Sequence, residues 1–250
     1  MASHARQKPL LLGHLGRVIL ALFSLALITP ASSRAEASSE QIRHFSGVAR
    51  TKNGSVVYRE QHRETYRAGR LHKALSLYYD AKGRLIGRLA SDYSRRNFAP
   101  NYRFTDIRRG VMRAARLDGN NLVLSDGKRV KALRHRGGAP LVVGQGLNRY
   151  VHAHLPQLSK GKVGKVRFAI PSRFSTYGFR VRSVARPRPG VLRLRIEVDS
   201  WLLRLIAPTI EVDYQLSTRR LLAYRGPSNL ADKDGDTMQV RIRYDYRGRR

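Results

Sequence analysis

The sequence predicts a mainly β protein: a single curved antiparallel sheet or half-barrel meander with one short amphipathic helix. Three observations predict it. Segments of alternating apolar and polar residues recur along the chain, short turns rich in Gly, Asn and Asp separate them, and one stretch carries helical spacing. With 250 residues and 42% apolar composition, the chain buries enough surface for one β-rich domain.

Residues 1–37 read as a secretory signal. Arg6, Lys8 and Arg17 precede or border an apolar core from Val18 to Ile28, Pro30 follows, and Ala35-Glu36-Ala37 offers a cleavage point. That core is shorter than the roughly 18–20 residues a spanning helix needs, so the mature chain is expected to have no transmembrane span. No Cys follows the core, which excludes a lipid-modified N-terminus. The expected organisation is a signal peptide over 1–37 and a single β-rich periplasmic domain over 38–250.

The domain opens as a meander. Segments 42–51 and 55–67 flank Asn53-Gly54, a two-residue hairpin signal because both positions tolerate φ > 0. Ala68-Gly69 turns the chain into 70–79, and 80–83 turns it into 84–93. Shorter strands are expected at 103–107, 110–117, 121–125 and 128–133. The stretch 134–146, with its glycines and proline, reads as a loop. Leu147, Tyr150, Val151, His154, Leu155 and Leu158 follow helical spacing, and Pro156 predicts a helix confined to about 146–155. In the last third, Leu192, Leu194, Ile196 and Val198 alternate with polar residues. Ile210 to Leu216 and Val240 to Tyr244 do the same, giving strands with one buried and one wet face.

Two stretches carry a resemblance. GQGLNRYVHAHLPQLSKGKVGKVRFAIPSR (144–173) forms a loop, helix, Gly turn and strand, and RRLLAYRGPSNLADKDGDTMQVRIRY (219–244) follows near the C-terminus. Together they resemble uncharacterised exported proteins of Gram-negative bacteria, a domain of unknown function with no assigned activity. The meander-plus-helix pattern more distantly resembles the Lol-type periplasmic lipoprotein and lipid carriers. That second likeness implies a curved sheet around an apolar cavity.

The motif search names no catalytic residue, no metal ligand and no cofactor. There are no cysteines for a thiolate centre or nucleophile. Asp232-Lys233-Asp234-Gly235-Asp236 misplaces the glycine of a calcium loop and reads as a polar turn. Gly144-Gln145-Gly146 lacks the third glycine of a dinucleotide fingerprint, and no parallel strand–helix–strand unit is evident around it. His154 falls on the helix's apolar stripe and reads as a core histidine. His152 points elsewhere, so the two do not share a metal.

Charge is the strongest compositional signal. Lys+Arg number 49 against 17 Asp+Glu, a net +32, and 39 of the cations are Arg. Removing 1–37 takes away four cations and one anion, leaving +29. Inside a cell such a charge points to nucleic acid. After export the partners expected are lipopolysaccharide phosphates, anionic lipid headgroups or another envelope protein, and nucleic acid is disfavoured. The candidate anion-binding residues are Arg149, ahead of which lies the Gly-Gln-Gly turn, and the pairs Lys165/Arg167, Arg180/Arg182, Arg193/Arg195 and Arg241/Arg243. Spacing of two puts both members of a pair on one outward strand face. If these strands are neighbours, the face is a grid of guanidinium groups. Internal pairing competes with that role, and Arg195–Glu211 and Arg193–Asp213 are the cross-strand ion pairs expected.

The functional expectation is a non-enzymatic cell-envelope binding or carrier protein, with an apolar inner sheet face and a cationic surface for anionic lipid or glycolipid headgroups. The alternative is a structural or assembly factor that binds another envelope protein and holds no small ligand.

Overall fold

The computed structural model describes residues 40–205 and 207–247. The signal reading of residues 1–37 lies outside them.

The described residues form one sheet of fifteen strands. The first eight are β1 (Glu40–Arg50), β2 (Val56–Arg67), β3 (Arg70–Tyr79), β4 (Leu85–Asp92), β5 (Asn101–Asp106), β6 (Val111–Asp118), β7 (Asn121–Ser125) and β8 (Val130–Arg134). Then come β9 (Leu141–Val143), helix α1 (Gly146–Ser159), β10 (Gly164–Ile170), β11 (Ser175–Arg188), β12 (Val191–Val198), β13 (Ile210–Gln215), β14 (Leu221–Ala231) and β15 (Thr237–Asp245). Their spatial order is β8-β7-β6-β5-β4-β3-β2-β1-β15-β14-β13-β12-β11-β10-β9. The mainly β, single-sheet, one-helix expectation holds, and each meander strand lies within two residues of its predicted bounds.

Three details differ, and the expected Ala68-Gly69 turn is present. The first turn is longer than two residues: β1 and β2 stop at Arg50 and Val56 after a register shift, and Gly54 takes φ +91°. The tight two-residue turn is Ala68-Gly69, where both residues have positive φ and Arg67 faces Arg70. The segment 134–146 is not all loop, because Leu141-Val142-Val143 is fully buried and forms β9. A three-residue apolar run inside a Gly-rich stretch is too short to show periodicity. Finally, β9 pairs in parallel with β10, and α1 connects them. The sheet is therefore mixed, and a parallel strand–helix–strand unit does exist around Gly144-Gln145-Gly146.

Helix α1 runs past its predicted end, with Pro156 inside it. Proline has no N–H, so the His152 carbonyl loses its usual intrahelical donor. Arg219 Nη1 reaches that carbonyl at 3.5 Å. The apolar stripe supplies what holds the extra turn: Tyr150, Val151, Leu155 and Leu158 are buried against Val142, Val166, Val181, Leu192 and Leu194 of the sheet. Leu155 and Leu158, on either side of Pro156, each gain about 1.5–3 kcal/mol from burial and together match or exceed the roughly 3 kcal/mol cost of an interior proline.

The two sheet ends do not hydrogen-bond to each other. Leu122 and Leu124 of β7 instead pack with Leu141 and Val143 of β9 and Ala169 of β10. The interior is thus closed at that seam by side chains. Cross-strand register then builds inward-facing rows. One row runs Gly47, Glu60, Tyr78, Gly87, and the next runs Phe45, His62, Ser76, Leu89, Phe104.

Candidate functional site: an aromatic cavity inside a cationic sheet

Between the inner sheet face and α1 lies a cavity of about 320 Å³. Eight of the chain's twelve tyrosines line it: Tyr58, Tyr78, Tyr93, Tyr102, Tyr214, Tyr224, Tyr244 and Tyr246. Leu147 and Val151 of α1, Phe168 of β10, and Ile196, Ile210 and Leu221 complete its apolar side. The inner face is therefore largely apolar and aromatic, a surface suited to a flat or short-chain organic molecule. An apolar cavity of about 150 Å³ accepts benzene, so this one has room for on the order of a dozen non-hydrogen atoms.

The phenols stay protonated. Burial pushes Tyr58, Tyr78 and Tyr244 far above the usual phenol range, and the nearby Glu60 charge adds to the shift. Several are committed to the wall. Tyr58 shares a hydrogen bond with Ser228 (3.0 Å), Asn229 donates to the Tyr78 hydroxyl (3.2 Å), and Tyr224 donates to the Pro227 carbonyl (2.7 Å).

One polar chain crosses this wall. His62 Nε2 donates to Glu60 at 2.9 Å, His62 Nδ1 shares a hydrogen bond with Ser76 at 2.7 Å, and Gln145 Nε2 donates to Ser76 at 2.8 Å. Phe45 stacks on the His62 ring, with centroids 4.3 Å apart. The order Ser–His–Glu is that of an acyl-transfer relay. Here Ser76 is only 1% exposed and already holds two partners. As it stands, the group cross-links β2, β3 and the turn before α1, and it places one polar point in the cavity wall. Gln145 of the Gly-Gln-Gly turn is thus turned toward the sheet interior.

On the outer face the strand neighbours are those the arginine grid requires. One row runs Arg182, Arg195, Glu211, Arg225, Arg241, Arg50 across six strands. Acids are threaded through it. Glu197 accepts from Arg180 (2.6 Å) and Arg182 (3.0 Å), Asp213 from Arg193 (2.7 Å) and Arg225 (3.0 Å), and Glu211 from Arg195 (2.8 Å). Both anticipated pairs, Arg195–Glu211 and Arg193–Asp213, are present. Asp213 and Glu197 resist desolvation only because these guanidinium groups bond to them, and both carboxyls are held below their usual range.

The other candidates are placed differently. Lys165 lies 3.5 Å from Asp199, and Arg167 donates to Thr176 (2.9 Å). Arg241 and Arg243 have no acidic partner among the described residues, and both are exposed. Arg149 stands apart from the grid: it lines the cavity from α1 and donates to Asn97 at 3.1 Å.

Arg149 belongs to a second basic group around His152. Burial first, then Arg149, Arg219 and Arg43, hold the His152 imidazole down to about 4. His154 meets its own needs, with Nδ1 donating to the Tyr150 carbonyl at 2.8 Å and its ring stacked on Tyr150. The sign for His152 follows from linkage. The unfolded chain takes up this proton near pH 6.5 and the folded chain only near 4, so stability is intact above about 6.5 and falls as pH drops toward 4. Half-exposure screens the effect to about 1–2 kcal/mol. The unfolding free energy from urea titration should be lower at pH 4.5 than at pH 7, and His152→Gln should remove about 1–2 kcal/mol of that difference.

Sequence reasoning missed the cavity wall. In Tyr58-Glu60-His62-Glu64-Tyr66 the inward residues are polar, and so are the outward Arg59, Gln61, Arg63 and Thr65. Alternation therefore gave no sign of which face was inside. It also passed over Trp201-Leu202-Leu203-Arg204-Leu205, an apolar run between two alternating strands.

No family model matches this chain, and no curated protein does. Among solved structures it is similar to the crystal structure of a beta-barrel-like protein of the domain of unknown function DUF1849 from Brucella abortus, at 10% identity, over 82% of this chain and 96% of that one, with a TM-score of 0.48.

Proposed function

We propose that this is a non-enzymatic binding or carrier protein of the cell envelope, exported to the periplasm by residues 1–37 and cleaved near Ala37. The observation that carries the proposal is the roughly 320 Å³ aromatic cavity between sheet and helix. A chain folded only to present an outer face gains stability from filling such a space, because a void forfeits dispersion contacts on every side. Its size suits a small apolar or aromatic body, or one short acyl chain, rather than a whole diacyl lipid. The exposed cations, Arg241 and Arg243 among them, supply long-range attraction to anionic lipid headgroups or lipopolysaccharide phosphates.

Calorimetric titration with 1-naphthol, a probe of suitable size, tests the cavity. Saturable binding at one per chain is expected, and Leu221→Trp, which fills the space from β14, should weaken it at least about tenfold. No binding, or binding indifferent to Leu221→Trp, would favour the assembly role in which the outer face meets another envelope protein.

A further inference from the structure

The connection between β12 and β13 exposes four large apolar side chains within five residues. Trp201, Leu202, Leu203 and Leu205 are 70, 58, 38 and 74% exposed. Among the described residues the other exposed large hydrophobics, Ile42, Leu85, Ile107, Val130 and Val163, stand singly, which is ordinary for a protein surface. A contiguous set is not ordinary and marks a contact site.

The set is held out from the fold by its backbone. Arg204 N–H donates to the Ser200 carbonyl (3.1 Å), Leu205 N–H to Leu202 (3.3 Å) and Ala207 N–H to Leu203 (2.9 Å). Below them, Asp199 N–H is tied to the Gly178 carbonyl (2.8 Å) and Arg204 Nη1 to the Asp199 carbonyl (3.1 Å). This is a preformed helical turn, so little ordering entropy stands against its use.

Size and charge decide what it meets. Four side chains offer roughly 500 Å² of contact on this one surface, below the ~800 Å² that each partner contributes to a standard protein interface. A bilayer sets no such threshold, because apolar insertion and headgroup attraction add. Trp with Leu is an interfacial composition, Arg204 lies among them, and the net +32 of the chain draws the turn toward anionic headgroups. The position has a consequence for transfer. Ile196 and Ile210, the last register pair before the connection, both line the cavity.

We infer that the 200–205 turn inserts into the headgroup region of an anionic bilayer and sets the Ile196–Ile210 end of the cavity against it. An apolar ligand then passes between membrane and interior without crossing bulk water. The inference rests on the proposed carrier function and adds to it the membrane contact through which a ligand moves.

Trp201 is the chain's one tryptophan, so its fluorescence reports on this turn alone. The purified chain is mixed with vesicles of phosphatidylcholine, or of phosphatidylcholine with phosphatidylglycerol. The expected result is sedimentation with the anionic vesicles, a blue shift of Trp201 emission, and quenching by lipids brominated near the headgroup. Leu202→Ser/Leu205→Ser, which keeps Trp201 and touches only exposed positions, should weaken vesicle binding at least about tenfold. Sedimentation with Trp201 unshifted and unquenched would overturn insertion while leaving electrostatic attraction in place. A blue shift that grows with protein concentration and needs no vesicles would overturn it in favour of self-association. Failure to sediment with either vesicle would overturn both the insertion and the lipid-facing part of the proposed function, while 1-naphthol binding would still report on the cavity separately.

Discussion

Gly146→Ala should destabilise the fold by about 3 kcal/mol, although helix propensity argues the other way. Alanine is favoured over glycine in a helix interior by about 1 kcal/mol. Gly146 is buried at the first turn of α1, where a Cβ would lie 1.9 Å from the Phe98 carbonyl oxygen and 2.7 Å from its carbon. Those are backbone atoms, so no side chain can rotate aside. The same carbonyl accepts from Val143 N–H at 3.0 Å, so moving it also loosens β9. Overpacking of this kind costs about 1–3 kcal/mol or more, and the clash outweighs the propensity. The effect also reaches function, because α1 carries Leu147 and Val151 into the cavity wall. Urea unfolding measures it. An unchanged or raised midpoint would mean that helix and Phe98 segment are not in contact as described.

Asp213→Ala should cost about 2–4 kcal/mol. Asp213 is 7% exposed and accepts from Arg193 Nε (2.7 Å), Arg193 Nη2 (3.1 Å) and Arg225 Nη2 (3.0 Å). Removing it leaves two guanidinium groups side by side, on side chains 25% and 34% exposed, in a chain of net +32. Breaking one partner of a buried pair costs about 3–5 kcal/mol, and partial exposure lowers that here. Since replacing all partners by apolar groups is often nearly neutral, Asp213→Ala/Arg193→Leu/Arg225→Leu should recover most of the loss. If the single variant is as stable as the parent, these arginines do not depend on the acid, and more of the grid is free for external anions.

The sheet was legible where local rules act alone. Gly69, Gly83 and Gly119 sit at positive φ in turns that their sequence announces, and the strands between them follow. Helix α1 was legible from its stripe, but its C-terminal end was not. Tertiary burial of Leu155 and Leu158 carries the helix through Pro156, and local propensity contains no such term. Strand β14 went unread because Gly226 and Pro227 interrupt any alternation, while its partners β13 and β15 supply the ladder. The parallel β9–β10 pair and the seam against β7 depend on residues far apart in sequence. The cavity is least legible of all, since empty space is a property of the assembled wall and not of any segment. The cationic pairs were legible as residues of one outward strand face. What their strand register adds is the acid threaded between them, which distinguishes Arg241 and Arg243 from the internally paired Arg193 and Arg195.

A carrier needs its interior to be a ligand site and not an accident of packing. Native mass spectrometry of the protein purified from its own cell tests this most directly. The prediction is a mass exceeding that of the polypeptide alone by one small organic molecule, released on gentle activation and absent from Leu221→Trp. A bare mass under conditions that preserve weak complexes, identical for parent and variant, would contradict it.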